Sequence, residues 1–258
     1  MTLTLFEKEI LMSHALKIDR AHLVSHPELF DEENPVYRSL VKRRLKHEPL
    51  AYITGYQPFL GLNFFVDHSV LIPRPETEEL VELAAHYALR IAHYLILDIG
   101  TGSGAIAVSL AKSLLNAIVI GTDSSPEAIK VAEHNAKLHK VEKQCKFIVG
   151  NLFGAVDQKA DIIISNPPYI PTGDLKDLMP DVRDWEPHSA LDGGPDGLKY
   201  IIEIIRNAPK HLNRPGHLLI EFGMGQAKEI ESEAKKYFDL VEIKKELSGI
   251  DRFLHAKI

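Results

Sequence analysis

Apolar residues along this chain keep two different rhythms. From residue 94 onward, short apolar blocks alternate with stretches whose apolar positions recur at helical spacing. The blocks are "YLILDIG" (94–100), "AIVIGTD" (117–123), "KFIVG" (146–150), "ADIIIS" (160–165) and "GHLLIEFG" (216–223). The helical stretches include "AIAVSLAKSLL", a segment opened by Ser125 and Pro126, "LKYIIEIIRNAPKHL" and "GQAKEIESEAKKYF". Strands alternating with helices predict an α/β fold with a parallel, doubly wound sheet. "LVEIKKEL" and "DRFLHAKI" close the chain with no helix between them. They can only pair as a hairpin, which leaves one antiparallel strand near the C-terminus.

Residues 1–61 read as a small all-α domain. Leu5, Phe6, Ile10, Leu11, Ala15 and Ile18 recur at helical spacing. A second helix starts at Asn34 as N-cap and Pro35 at its first position, carries Tyr37, Leu40, Val41 and Leu45 on one stripe, and is ended by Pro49. Gly55, Pro58 and Gly61 then break the pattern, which puts a boundary near 61. "LNFFVDHSVLIP" predicts a β-hairpin linker at 62–73, and "RPETEELVELAAHYALRIA" a helix over 74–92 that opens the larger domain, 74–258.

Composition narrows the class. With 45% hydrophobic and 26% charged residues, the chain has ordinary globular make-up and can bury a sizeable core. Its apolar runs are too short to span a membrane, and "MTLTLFEKEI" carries acids where a leader would be basic. A single cysteine, Cys145, excludes an internal disulfide and a cysteine metal cage, and fits a reducing cytoplasmic setting. The 13 histidines are scattered, and none is assigned to a metal. Residues 1–61 hold 8 Lys/Arg against 8 Asp/Glu, so the net charge of −6 falls wholly on the rest. That balance speaks against dedicated DNA binding. No feature signals an oligomer, so a monomer is the expectation.

Two loops carry candidate chemistry. "LDIGTGSGAIA" sets Gly100, Gly102 and Gly104 between a buried strand and a helix, where glycines allow a tight turn and close approach of a ligand. Asp123 ends the next strand, placed to accept hydrogen bonds from a ribose. "GTGSGA" also satisfies a dinucleotide pattern. Asp98, just before it, would repel a pyrophosphate but suits the cation S-adenosyl-L-methionine. "ISNPPYI" (164–170) ends a later strand at the same sheet edge, and its adjacent prolines cannot continue a central strand. A planar amide or amine nitrogen is a weak nucleophile; an enzyme can accept hydrogen bonds from its N–H groups and fix its direction. The Asn166 side-chain oxygen and the Pro167 carbonyl are such acceptors. Pro168 stiffens the corner, and Tyr169 offers a flat face.

Asn-Pro-Pro-Tyr after a nucleoside-binding half resembles the class I amino-methyltransferases. "GLNFFVDHSVLIPRPETEELVE", "EPLAYITGYQPF", "WEPHSALDGGPDGLKY" and "LSGIDRF" resemble the release-factor glutamine methyltransferases (the PrmC/HemK family) over almost the whole chain from about residue 19. The resemblance implies a Rossmann-like class I methyltransferase sheet and S-adenosyl-L-methionine as methyl donor, with S-adenosyl-L-homocysteine as product. It implies peptide-chain release factors as partners, recognised with help from the N-terminal domain. Carried over, Asp98, Gly100, Thr101, Gly102, Ser103 and Gly104 hold the methionine and ribose part, Asp123 the ribose, and Asn151 and Leu152 the adenine. Asn166, also bordering the cofactor, and Pro167 hold the substrate amide, backed by Pro168, with Tyr169 packing on it. Asn151 stands where the family usually has Asp, so weaker cofactor binding is expected. "PRPETE" is expected to order the loop over the cofactor, and "KRRLKH" (42–47) to be a solvated helix face. A DNA adenine-N6 methyltransferase, a nicotinamide-dependent dehydrogenase and a non-catalytic binding protein on this fold are the alternatives.

Overall fold

The computed structural model describes residues 2–88, 94–154 and 156–258. The N-terminal helices are α1 (Leu5–Leu16), α2 (Arg20–Ser25), α3 (Pro35–Arg44) and α4 (Leu50–Thr54). A capping box starts α1: Glu7 N–H donates to Thr4 Oγ1 at 3.2 Å, and Thr4 N–H donates to Glu7 Oε2 at 2.7 Å. Asn34 Oδ1 caps α3, accepting from the N–H groups of Val36 and Tyr37 at 3.0 and 3.1 Å. Leu11, Met12, Leu23, Tyr37, Leu40 and Ile53 form their shared core.

Two expectations shift here. Pro49 does not end the second long helix; it caps the short α4, which the sequence pattern did not reveal. The hairpin is β1 (Tyr56–Phe59) and β2 (Leu62–Phe65), so it lies earlier than 62–73, and the expected boundary at 61 falls inside its turn. Leu60 and Gly61 both have positive φ, 47° and 72°, as a tight two-residue hairpin turn requires. Pro58 is tolerated because a two-stranded ribbon has only edge strands.

The larger part contains α5 (Pro75–Ala88), β3 (Tyr94–Ile99), α6 (Ala105–Ser113), β4 (Ala117–Asp123), α7 (Pro126–Leu138), β5 (Cys145–Val149) and β6 (Ala160–Ser165). It continues with α8 (Pro180–Arg183), α9 (Lys199–His211), β7 (Leu212–Glu221), α10 (Ala227–Ala234), β8 (Leu240–Lys245) and β9 (Asp251–Lys257). The end of the helix expected over 74–92 lies outside the described residues. Strand order is β5-β4-β3-β6-β7-β9-β8. All neighbours are parallel except those of β9, which inserts antiparallel between β7 and β8. The mixed sheet expected from the helix-free C-terminus is therefore present.

Both sheet faces are covered. Ile96, Ile162, Ile164 and Leu219 pack with α5 and α6 on one face, while Leu97, Ile163, Leu218 and Ile220 pack with α9 and α10 on the other. This alternation within continuous apolar strands is the mark of a doubly covered parallel sheet. The chain runs outward from β3 through β5, then returns to lay β6 on the other side of β3. That reversal opens a crevice above the carboxyl ends of β3 and β6. Among the described residues no helix is long and apolar enough to cross a membrane.

The basic stretch 42–47 is not a freely solvated face. Arg43 pairs with Glu48, and His47 Nδ1 lies 3.1 Å from Asp181 Oδ1. Arg44 is buried, donating to Glu7 Oε1 at 2.8 Å, the Glu48 carbonyl at 3.2 Å and Asp181 Oδ2 at 2.6 Å. One guanidinium thus ties α1 and α3 to α8, across more than a hundred residues of sequence. Removing it takes a charged donor from two carboxylates that keep Thr4 and His47 as neighbours, so Arg44→Ala should cost about 2 kcal/mol, in the range for lost hydrogen bonds between charged groups. A lowered urea midpoint with an unchanged m-value would show it; an unchanged midpoint would contradict the role.

Candidate active site

The glycine loop is built by β3 ending against β4. Gly100 and Thr101 N–H groups both donate to the Thr122 carbonyl, at 2.8 and 2.9 Å. Gly100 and Gly102 have φ of 73° and 53°, and a Cβ on either would meet no protein atom within 4 Å. Their backbone conformation favours glycine, and the space beside them is left for something else. Gly104 differs: a Cβ there would come within 3.0 Å of Ala132 Cβ, so it serves the packing of α6 on α7.

Asp123 faces the crevice. Its two oxygens accept from the N–H groups of Gly102 and Ser125, each at 2.9 Å. Burial pushes its carboxyl above the usual range, opposed by those backbone donors. A carboxylate in that condition gains from further donors such as ribose hydroxyls. Asp98 is fully buried beneath the loop and does not reach the crevice. Its Oδ2 accepts from Thr101 Oγ1 at 2.6 Å, its Oδ1 has no hydrogen-bond partner among the described residues, and burial pushes its carboxyl up to about 7.

Across the crevice, Ser165 Oγ donates to the Ile99 carbonyl at 2.7 Å and joins the two strand ends. Asn166, Pro167 and Pro168 then form the opposite wall. Asn166 Nδ2 donates to Thr77 Oγ1 at 3.0 Å, and Thr77 Oγ1 donates to Glu221 Oε2 at 2.7 Å. Among the described residues, no group donates to Asn166 Oδ1 or to the Pro167 carbonyl. Tyr169 turns away from the crevice. Its hydroxyl points at Glu221 Oε1, 3.5 Å away, and its ring joins the core beneath α9 and α10. A flat apolar ring with one buried hydroxyl finds both a packed bed and an acceptor on that side.

One cleft, with about 880 Å³ of space including its solvent-open mouth, is lined by Gly100, Gly102, Asp123, Asn151, Leu152, Asn166, Pro167 and Pro168. Asp98, Thr101, Ser103, Gly104 and Tyr169 lie outside its lining. The lining also includes residues that motif reading did not single out: Ser69, Val70 and Leu71 on one side, Pro187, Ser189, Ala190 and Tyr200 on the other. The buried Glu186 joins these two segments, accepting from Ile72 N–H at 3.1 Å and Arg74 Nη2 at 2.5 Å. "PRPETE" and "WEPHSALDGG" therefore meet in space, and their shared ion pair is a signal visible only once the fold is known. The cleft fits a nucleoside sulfonium: open glycines, an under-solvated carboxylate and the apolar edge of Leu152 surround one space.

The corner is clamped from behind. Ile170 N–H donates to the Leu191 carbonyl at 3.0 Å, Gly193 N–H to the Ile170 carbonyl at 2.8 Å, and Gln226 Nε2 to the Tyr169 carbonyl at 3.0 Å. A Cβ on Gly197 would lie 2.2 Å from the Tyr169 carbonyl oxygen, and one on Gly193 2.8 Å from Tyr169 Cα. These glycines of "LDGGPDG" let two backbones touch.

Comparison with known proteins shows what the chain is similar to. A family profile described as "Methyltransferase domain" matches residues 92–245, and one described as "PrmC N-terminal domain" matches residues 5–55. The chain is 49% identical over 227 residues to the release factor glutamine methyltransferase of Geobacter sulfurreducens, covering 87% of this chain and 78% of that one. It is 39% identical over 253 residues to the protein of the same name from Thermodesulfovibrio yellowstonii, covering 96% and 90%. A solved methyltransferase from Pyrococcus furiosus shares the fold, with a TM-score of 0.57 at 19% identity, covering 85% of this chain and 98% of that one.

If Asp123 holds a ribose, Asp123→Ala should raise the dissociation constant for S-adenosyl-L-methionine roughly 10- to 100-fold, the range for lost charge-assisted hydrogen bonds. Calorimetry giving the wild-type affinity would remove Asp123 from the site.

Proposed function

We propose that this chain, which belongs to the release factor glutamine methyltransferase family, methylates the side-chain amide nitrogen of the glutamine in the Gly-Gly-Gln loop of peptide-chain release factors. It would act in the cytoplasm, on the machinery of translation termination. When bound, S-adenosyl-L-methionine supplies an electrophilic methyl on a positive sulfur and departs as S-adenosyl-L-homocysteine. The Gly100–Gly104 loop and Asp123 would hold its methionine and ribose, and Asn151 and Leu152 its adenine. The neutral Asn151 makes a weaker acceptor there than a carboxylate would.

Asn166 and Pro167 do the orienting. The amide nitrogen of glutamine carries two N–H groups and a delocalised lone pair. Asn166 Oδ1 and the Pro167 carbonyl accept from those N–H groups and aim the lone pair across the cleft. The two prolines keep both acceptors in place before substrate arrives, so little reorganisation is needed at the moment of reaction. Neither acceptor is a base near neutral pH. As the N–C bond forms the methyl–sulfur bond breaks, and the nitrogen, now acidic, gives one N–H proton to solvent water. Tyr169 supports the corner from its buried side. The pair of unclaimed acceptors on a stiff corner facing the glycine loop is the observation that supports this reading, and the family membership selects glutamine as the acceptor.

Mass spectrometry of a purified release factor, incubated with this protein and S-adenosyl-L-methionine, should find one added methyl on the Gly-Gly-Gln glutamine. A DNA oligonucleotide in parallel should stay unmodified; methylated adenine with an unmodified release factor would overturn the substrate assignment. Asn166→Ala should keep cofactor affinity within about 3-fold yet lose roughly 100- to 1,000-fold in kcat, as when one preorganised polar group is removed from a reacting centre. Near-wild-type turnover would sink the role given to Asn166.

A further inference from the structure

We infer that Thr77 and Glu221, neither of which lines the cleft, form a buried relay that fixes which end of the Asn166 amide faces the substrate. The inference rests on the function proposed above. Thr77 sits in the first turn of α5 and Glu221 at the end of β7, and both side chains are buried. They meet behind Asn166 from opposite ends of the sequence, in the order Asn166 Nδ2, Thr77 Oγ1, Glu221 Oε2, with separations of 3.0 and 2.7 Å.

The direction of the relay follows from counting protons. An ionised carboxylate only accepts, and a threonine hydroxyl has a single proton. The Thr77 proton is therefore committed to Glu221, and the Thr77 oxygen can only accept. The Asn166 group beside it must be the NH2, which turns Oδ1 toward the cleft. Rotating the amide by half a turn would set Oδ1 against the Thr77 oxygen with no proton between them. It would also present N–H groups to a substrate nitrogen that itself brings only N–H groups. Thr77 and Glu221 are thus positioning residues: they touch no substrate, but they choose an acceptor over a donor at the wall that does.

Protonating Glu221 would remove this constraint, because a carboxylic acid can donate to Thr77 and free its proton to point at Asn166. Burial pushes the Glu221 carboxyl up to about 7, opposed by the Thr77 hydrogen bond and the positive charge of Arg252. Glu76 on α5 adds a like charge that raises it further, and the Tyr169 hydroxyl opposes that from the loop after β6. Arg252 on β9 is itself held by Glu246 Oε2 at 2.7 Å and the Phe222 carbonyl at 3.1 Å. The orienting state is the ionised one, so kcat at saturating S-adenosyl-L-methionine should fall as pH drops through about 7; saturation separates this effect from the Asp98 carboxyl beneath the glycine loop, which burial pushes into the same range.

Thr77→Val removes the hydroxyl at nearly constant volume, and Thr77→Ser keeps it. Thr77→Val should lower kcat by roughly 10- to 100-fold with cofactor affinity and release-factor KM within about 3-fold, and Thr77→Ser should recover most of the loss. In nitrogen-15 spectra, the Asn166 side-chain NH2, assigned by its disappearance in Asn166→Asp, should exchange slowly with water in the wild type and in Thr77→Ser but fast in Thr77→Val. Equal exchange in all three proteins, or wild-type kcat in Thr77→Val, would overturn the relay. The spectra decide this without any methyl transfer. A wild-type protein that leaves release factors unmodified would therefore fail the proposed function while the relay still stood or fell on its own.

Discussion

The parallel pairing of β3 with β6 governs everything at the cleft. Its register sets Ile99 beside Ser165, so the glycine loop and the Asn-Pro-Pro-Tyr corner leave the sheet at the same height. The Ser165 hydroxyl, donating to the Ile99 carbonyl at 2.7 Å, closes the last rung where the ladder itself runs out. A slip of one residue in a strand would turn every side chain to the opposite face. Here it would exchange Ile163 with Ile162 and Ile164 between the two cores and shift Asn166 away from the level of the glycine loop. The run Ile162–Ile164 is apolar toward both cores, so the register is pinned instead by Ser165 and Asn166, whose polar side chains find the Ile99 carbonyl and Thr77.

A corner made of two prolines cannot be held by the sheet, so the chain holds it by other means. The backbone of 191–197 lies against residues 169 and 170, with glycines at the points of contact. The Arg74–Glu186 pair joins the segment before α5 to the one before that clamp, so the walls of the cleft are braced against each other. The N-terminal helices are tied in at Arg44, whose partner Asp181 belongs to the same part of the chain. Much of the sequence between β6 and α9 therefore serves to immobilise a few atoms of residues 166–169.

Features governed by local rules were legible in the sequence. Strand and helix rhythm gave the parallel sheet, helix-free C-terminal strands gave the antiparallel insertion, and Asn34-Pro35 gave a helix start. Gly100, Gly102, Asp123 and Asn166–Pro168 meet in one cleft because strand ends of a doubly wound sheet converge by topology. What escaped depends on contacts between distant residues. The hairpin turns at Leu60–Gly61, ahead of the expected 62–73, and Leu60, which takes a positive φ there, gives no turn signal. Arg44 reads as one charge in a basic run until Glu7 and Asp181 are brought to it. His22 and His26, one helical turn apart, stack at 4.3 Å on the surface, and among the described residues no group of metal-ligating side chains assembles. Asp98 and Tyr169 carry the right chemistry for the cleft but spend it inward, on Thr101 and toward Glu221.

Those inward contacts expose a shared device. Asp98 and Glu221 are both buried one layer behind the cleft, and burial pushes both carboxyls up to about 7. Each takes a threonine proton at short range, Thr101 at 2.6 Å and Thr77 at 2.7 Å. A hydroxyl that gives its one proton to a buried carboxylate is left as a pure acceptor on its other side. Behind Glu221 the next layer is the Asn166 amide, whose Nδ2 donates to the Thr77 oxygen at 3.0 Å, and no full charge reaches that wall. A naked carboxylate at residue 166 would bind a donor more tightly, but it would also attract the cationic sulfonium before transfer and favour the ground state. On the proposed function, neutral acceptors at that wall avoid that cost. Asp123 is the carboxylate that lines the cleft, on the side of the glycine loop, while the opposite wall at residues 166–168 presents neutral groups.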